Sequence, residues 1–353
     1  MYRQTAALVD LEAICANYEL ACTLTGTRKC IAVIKANAYG HGMLEVARAL
    51  DTAAALAVAT VDEACALRDA GIDKDILVLE GASSEAAAAE ARGTNLVLVV
   101  STEEQIEFSS GSRTWIKIDT GMHRLGIDPS RFGDVLERLR AAGSDVRAAC
   151  THLACADDPG SEATERQLRL FAKCTLDAGL PLSIANSAGI LAWPASHADW
   201  NRPGIMLYGA SPFPTSVENA ARLRPAMTFT AEIIALRDID AGEAVGYGAR
   251  WTADRRSRIA TVAAGYGDGY PRHAPDGTPT FVRDRTAPLA GTVSMDMITI
   301  DVTDVPDVAI GDPVELWGPN VPVNEVATRA RTIGYELLTG VTSRVPRAYD
   351  ASD

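Results

Sequence analysis

The sequence contains no C-x-x-C pair and no cluster of Cys, His, Asp or Glu at metal-ligand spacing, so neither a zinc centre nor a dithiol redox centre is expected. Its seven cysteines (Cys15, Cys22, Cys30, Cys65, Cys150, Cys155, Cys174) are odd in number and confined to the first half, which reads as reduced thiols used as small core residues. Basic residues are scarce: 33 Lys and Arg against 46 Asp and Glu give a formal net charge of -13, which repels nucleic acid and anionic lipid. No apolar run reaches the roughly 18 residues a membrane helix needs, and Asp10 and Glu12 interrupt the N-terminus before a signal-peptide core can form. Internal repeats and low-complexity tracts are also missing. These absences point to a cytoplasmic protein with no nucleic-acid or membrane partner.

What is present is a 353-residue chain with 47% hydrophobic residues, long enough for two domains. Short β-branched runs recur through the first two-thirds: IAVI (31–34), LAVAT (56–60), ILVL (76–79), LVLVV (96–100), WIKI (115–118), VRAAC (146–150), LSIA (182–185) and GIMLY (204–208). Helical patterns separate them at 43–50, 62–70, 85–92, 103–109, 131–142 and 162–178, several opened by Asp, Ser or Thr and closed near Gly. Eight strands alternating with helices predict an α/β fold, an N-terminal (β/α)8 TIM barrel over residues 1–225 with a lead-in helix at 11–24. From about residue 225 alternating strands broken by Gly, Pro and Asp predict a C-terminal, mostly β domain over 226–353, ending in a short helical tail. The extreme N-terminus is free to pair with that second domain.

Barrel enzymes place their chemistry at the C-terminal ends of the strands. Lys35 and Tyr39 follow the first run, Glu80 the third, Asp119 and Arg124 the fifth, His152 the sixth, and Asn186 and Ser187 the seventh, while Arg202 flanks the eighth. A desolvated lysine at such a rim can form an imine with an aldehyde, although it can equally snorkel or pair with a carboxylate. The small residues of NAYGHG after Lys35 let a planar ligand approach the backbone. Across from it, ANSAG (185–189) and NRPGIMLYG (201–209) offer amides and hydroxyls suited to a phosphate, or merely a turn and a cap. An imine-forming lysine opposite two phosphate-type loops fits pyridoxal 5'-phosphate.

These segments, with WIKIDTGMHRLG (115–126), THLACAD (151–157), GYGDGYPR (265–272), VSMDM (293–297) and GYELLTGVTSRVPR (334–347), resemble the alanine racemase family of fold-type III pyridoxal phosphate enzymes along nearly the whole chain. The resemblance implies that Lys35 forms the internal aldimine and acts on the Cα proton of D-alanine, with Tyr266 as the opposed base for L-alanine. It implies that Arg202 faces the pyridine nitrogen, that His152 links Arg202 to Tyr266, and that Tyr39, Ser187, Gly204, Ile205 and Tyr335 contact the phosphate with Asn186 nearby. Arg124 and the Met295 backbone would hold the substrate carboxylate, and Lys117 would be carbamylated to orient Arg124. It further implies a homodimer in which Tyr266 and Met295 complete the partner's site. D-Alanine made in this way serves peptidoglycan, and the same reaction serves alanine catabolism.

Outside the resemblance, Lys117 can be read as a simple ion-pair partner of Asp119, His152 as a core histidine, and Tyr266 as a structural aromatic. Asp296 is expected to order the loop that presents Met295. A racemase of broader amino-acid range, a decarboxylase on the same scaffold and a non-catalytic pyridoxal phosphate carrier are the rival functions. Thr292, where many relatives carry arginine, and Gly334, where others carry asparagine or a larger residue, depart from the family pattern and bear on the substrate entrance and subunit contacts.

Overall fold

The Asp10 carboxylate accepts a hydrogen bond from the Ala13 amide at 2.7 Å and so starts helix α1 (Leu11–Thr25), which leads into the barrel. The structure, a computed structural model, describes residues 5–26 and 28–349; the outermost ends of the expected domains, 1–4 and 350–353, lie outside the described residues. Strand β1 (Thr5–Val9) precedes α1. Strands β2 (Lys29–Val33), β3 (Ala55–Val58), β4 (Ile76–Val78), β5 (Val97–Val100), β6 (Arg113–Lys117), β7 (Asp145–Cys150), β8 (Leu182–Ser183) and β9 (Trp200–Asn201) then close into a parallel barrel. The strands are short, and those from β2 to β5 are buried almost throughout, as sides covered by helices require. Thr60, Ser84 and Thr102 cap the helices after β3, β4 and β5 by accepting from the amides of Glu63, Ala87 and Gln105. At the N-terminal end, Trp115 and Trp200 pack at 5.9 Å, with Lys29 over the Trp200 ring at 4.9 Å, and help plug the barrel away from its working face.

The eighth strand differs from expectation. GIMLY is a 3-10 turn (Ile205–Tyr208), and the strand is Trp200–Asn201 just before it. An apolar run buried on every side has no alternation to mark it as a strand. The Pro203 carbonyl still accepts from the Val33 amide at 3.0 Å, and the pairing ends there because proline has no N–H to donate.

Strand β10 (Met227–Ile239) organises the second sheet. Its first half pairs with β1 on one side and with Pro313–Trp317 on the other, and its second half pairs with Ser257–Val262. Phe229 and Trp317 meet at 4.6 Å in its core. The chain's tail is not purely helical: after helices Val323–Arg329 and Gly334–Gly340, Arg347–Tyr349 adds a parallel strand to β1. Among the described residues no helix is long and apolar enough to cross a membrane.

Candidate active site

The segment after β2 does something its sequence gives no hint of. Ala36, Asn37, Ala38 and Tyr39 all take left-handed backbone conformations, with φ between 51 and 54 degrees. The turn is held by Glu63, which accepts from the Ala36 amide at 2.7 Å, and by the Asn37 side chain, which accepts from Met43 at 2.9 Å. Four such residues are unusual because L side chains crowd the carbonyl there. Strain of this kind gathers where a site must be fixed. Here it joins Lys35 at the rim to Tyr39 beneath it.

Lys35 is half-buried and opens onto a cavity of about 230 Å3, shared with Glu80, Lys117, Arg124, Thr151, His152 and Arg202. Its amine titrates below the usual lysine range, through burial first and the Arg124 charge second, with Glu80 and Glu63 opposing. Lys117 is depressed too, through burial and the charges of Arg124 and Arg202, against Cys150 and Asp119. His152 is pushed well below its usual value by burial and by Arg202, Lys117, Arg124 and Lys35, so it stays neutral near pH 7. In a chain of net charge -13, four cationic side chains against Glu80 make this mouth a site for an anion.

Arg202 is 6% exposed. It donates to the Ser183 hydroxyl, to the Thr151 carbonyl at 2.6 Å and to the Ile184 carbonyl at 3.2 Å. Its guanidinium is thus fixed across the ends of β7 and β8. Among the described residues His152 and Arg202 are not hydrogen-bonded to each other, and three of the five guanidinium N–H donors go to Ser183, Thr151 and Ile184. Lys117 likewise makes no ion pair with Asp119. The Asp119 carboxylate accepts from the amides of Gly121, Met122 and His123, each at 3.0 Å, and shapes the loop that carries Arg124.

Beside Arg202 lies a small polar cradle. The Ser187 hydroxyl accepts from the Gly204 amide at 2.8 Å and from Met206 at 3.3 Å, while Asn186 caps its turn through Gly189 at 2.9 Å. A Cβ at position 204 would stand 2.7 Å from the Tyr39 hydroxyl, so only glycine leaves this space open. Tyr39 stacks on Tyr208 at 4.8 Å and faces Tyr335 at 6.1 Å, and burial pushes its phenol up to about 12. Tyr39, Ser187, Gly204 and Tyr335 thus bring hydroxyls and backbone amides together, donors of the kind a phosphate needs. The donor set fits pyridoxal 5'-phosphate.

Tyr266 and Met295 lie elsewhere on the chain. Both are exposed (40% and 53%), and neither lines the cavity containing Lys35. Their loops are tied together: the Tyr266 amide donates to Ser294 at 3.0 Å and the Gly267 amide to Met295 at 2.8 Å. Thr292 donates to the Tyr247 carbonyl at 3.1 Å, and at Gly334 a Cβ would meet the Asn324 side-chain oxygen at 2.8 Å, so both departures from the family pattern sit in tight local contacts.

Three further residues have a place here that motif reading passes over. Buried Gln167 spans the loops after β6 and β7, donating to Thr120 and to the His152 carbonyl and accepting from Ala154; nothing marks it in its helical sequence. Arg344 pairs with Asp268 and Asp296, beside Tyr266 and Met295. Tyr247, 73% exposed, sits on a turn between Gly246 and Gly248, both at positive φ. Its signal is visible: Gly-Tyr-Gly occurs twice, at 246–248 and 265–267.

The chain matches the family described as alanine racemase, N-terminal domain, over residues 9–212, and that described as alanine racemase, C-terminal domain, over residues 226–349. It is 47% identical over 356 residues to the biosynthetic alanine racemase of Pseudomonas aeruginosa, covering 98% of this chain and 99% of that one. It is 46% identical over 358 residues to the catabolic alanine racemase of the same organism, covering 99% and 100%. The crystal structure of the biosynthetic alanine racemase from Pseudomonas aeruginosa superposes with a TM-score of 0.94 at 47% identity, covering 99% of this chain and 100% of that one. Alanine racemase from Bartonella henselae with covalently bound pyridoxal phosphate superposes with a TM-score of 0.89 at 30% identity, covering 98% and 99%.

Proposed function

Because the chain belongs to the alanine racemase family, we propose that the mouth of its barrel holds pyridoxal 5'-phosphate and there interconverts L-alanine and D-alanine. The observation that carries this reading is the meeting of the Lys35 amine and the buried Arg202 in one cationic mouth, with the Gly204 cradle two residues along the chain from Arg202. Tyr39, Ser187, Gly204, Ile205 and Tyr335 would hold the phosphate, Asn186 would fix the turn before Ser187, Lys35 would take the aldehyde end, and Arg202 would meet the ring nitrogen. When bound, the cofactor supplies a carbonyl that captures the amino group and a conjugated ring that spreads the charge left at Cα.

Racemisation takes a proton from one face of Cα and returns one to the other, so it needs two acid–base groups facing each other. Lys35 Nζ is one of them: burial lowers its pKa, so its uncharged form, able to take the proton of D-alanine, is reached at lower pH than for an ordinary lysine. The opposed carrier is a tyrosine hydroxyl of the β domain. Tyr266 is the residue expected from sequence, braced on the Met295 loop. Tyr247 is a second reading, favoured by its greater exposure and by the glycine-flanked left-handed turn that presents it. Arg124 and the Met295 backbone would bind the substrate carboxylate. A carbamate on Lys117 would place an anion near Arg124 and Arg202 and hold Arg124 in place; the lowered pKa favours the free amine such a reaction needs.

Tyr266, Tyr247 and Met295 are exposed on their own chain, which supports a homodimer whose β domains, residues 226–353, cover the barrels, residues 1–225, of their partners. The seven cysteines are free, in keeping with a reducing cytoplasm. Biosynthetic and catabolic relatives match at 47% and 46% identity, and D-alanine for peptidoglycan and alanine catabolism are the two physiological uses.

The test is a chiral assay of D-alanine formed from L-alanine by the purified protein, repeated with other L-amino acids to separate an alanine racemase from a broader one. No D-alanine overturns the reading. Inactive Lys35→Ala protein is then mixed with Tyr266→Ala and, separately, with Tyr247→Ala protein. Activity regained in a hybrid identifies a tyrosine acting in trans, and failure of both mixtures refutes shared sites.

A further inference from the structure

Two aspartates with no step in the proton transfer flank the exposed half of the site. Asp268, two residues after Tyr266, is fully buried, and its carboxylate accepts from the Gly265 amide at 2.9 Å. Asp296 directly follows Met295. Arg344 reaches both, with Nε 3.2 Å from Asp268 and Nη2 2.8 Å from Asp296. Gly267 makes room for it, since a Cβ there would stand 2.6 Å from Arg344 Nη1 and 3.0 Å from the Met295 carbonyl. Thr342, on the same segment, donates from its amide to the Asp268 carbonyl at 3.1 Å and from its hydroxyl to the Gly267 carbonyl at 3.0 Å. A guanidinium can hold two carboxylates in a fixed angular relation, whereas an ammonium is a point charge on a flexible stem.

We propose that Arg344 is a positioning residue that locks the Tyr266 turn to the Met295 loop and so holds the Met295 backbone where the substrate carboxylate binds. The proposal rests on the placement of that carboxylate at Arg124 and Met295. An exposed ion pair by itself contributes little; this one differs because its far end, Asp268, is wholly buried and the arginine is backed by Gly267 and Thr342. Loosening it leaves Lys35 and the barrel untouched, and the Tyr266 turn keeps its own amide bonds to Ser294 and Met295, so the loss falls first on what grips the carboxylate and binding suffers before turnover.

The experiment compares holoenzyme with its Arg344→Lys, Asp296→Asn and doubly substituted forms for KM and kcat with alanine, for thermal midpoint, and for inhibition by acetate, a carboxylate without an amine. Each single change is expected to raise KM and the acetate inhibition constant about tenfold with kcat within about twofold, and the double change is expected to be no worse than either single one, as for two ends of one contact. An acetate constant that does not move, or a double variant weaker by about a hundredfold, overturns the proposal. So does a drop in thermal midpoint and kcat without any carboxylate-specific loss. Asp296→Asn keeps the test valid if Arg344→Lys folds poorly. Arg124→Gln separates the layers: if it fails to weaken acetate, or if acetate does not inhibit the parent enzyme, the carboxylate site is misplaced and both readings fall. If Arg124→Gln weakens acetate and Arg344→Lys does not, only the role of Arg344 fails.

Discussion

Ala36→Gly should leave the protein as stable or make it more stable, which is the reverse of what the same change does in an ordinary helix. Ala36 is the first of four consecutive left-handed residues, at φ 52 and ψ 52 degrees. Alanine and tyrosine in that conformation cost roughly 1–2 kcal/mol each, while Asn tolerates it better, so Ala36, Ala38 and Tyr39 together store roughly 3–6 kcal/mol in a protein whose net stability is of order 5–15 kcal/mol. Glycine removes the crowding at position 36 and returns about 1–2 kcal/mol, while the freer unfolded chain takes back about 0.5–1 kcal/mol. Ala36 is exposed, so its methyl leaves no buried cavity, and its amide bond to Glu63 survives the change. The net expectation is a gain of about 0–1.5 kcal/mol, read as an unchanged or higher urea midpoint with unchanged slope. Ala89→Gly is the matched control, because Ala89 is exposed on the right-handed helix Glu85–Gly93. It should lose about 1 kcal/mol. A loss of that size from Ala36→Gly as well would refute the argument, since it would mean that position 36 is not held left-handed in solution.

Gly204→Ala sets a Cβ 2.7 Å from the Tyr39 hydroxyl. The purified variant should keep its thermal midpoint without cofactor yet retain under about a tenth of the pyridoxal phosphate carried by the parent protein, a loss of more than about 1.4 kcal/mol in binding; full retention would remove the cradle from the phosphate site. His41 is fully buried and its folded pKa falls to about 4 from an ordinary 6.5, through burial. The folded state then binds fewer protons than the unfolded one, so stability is whole above pH 6.5 and declines toward pH 4, by up to about 3 kcal/mol. His41→Asn should flatten that limb of a urea midpoint against pH curve, and parallel curves for variant and parent would count against it. For Lys117, protein equilibrated with 13C-bicarbonate should give a carbamate resonance that Lys117→Arg lacks; identical spectra would leave the lysine unmodified.

Much of the barrel can be read from the chain because its strands are short apolar runs and its helices begin at Thr60, Ser84 and Thr102, where side chains cap amides in the way their spacing implies. The failures have physical causes. Strand β9 is only Trp200–Asn201, too short to carry a period, and the apolar GIMLY beside it drew the assignment. The left-handed turn at 36–39 contains no glycine, so local propensity argues against it and only tertiary contacts from Glu63 and Met43 explain it. Lys35, Lys117 and Arg124 can be placed at one mouth because each follows or ends a barrel strand and the topology fixes where strand ends go, whereas Arg202 joins them only because the last strand is Trp200–Asn201 and not GIMLY, which would have put it before the strand's start. His152 goes to the same mouth, and Arg202 in that mouth donates to backbone carbonyls and to Ser183, contacts that no motif marks.

The β domain was harder to read for a different reason. Its candidate side chains are not at strand ends in a closed barrel but on loops whose relation is set by distant sequence. The twin Gly-Tyr-Gly triplets look alike, and only the structure separates them: the turn at 266 is stitched to 294 and 295, while the turn at 247 stands out beside 291 and 292. That stitching is braced by the last segment of the chain. Thr342 and Arg344 hold the 265–269 turn, and three residues later Arg347 donates to the Gly40 carbonyl at 2.9 Å, at the end of the strained turn that begins at Lys35. One short tail therefore touches both the lysine loop of its own barrel and the loops that stay exposed on its own chain. If those loops serve a second copy, each tail ties one half of its own site to one half of its partner's, and residues 334–349 become part of the catalytic geometry although none of their side chains except Tyr335 is expected to touch a ligand.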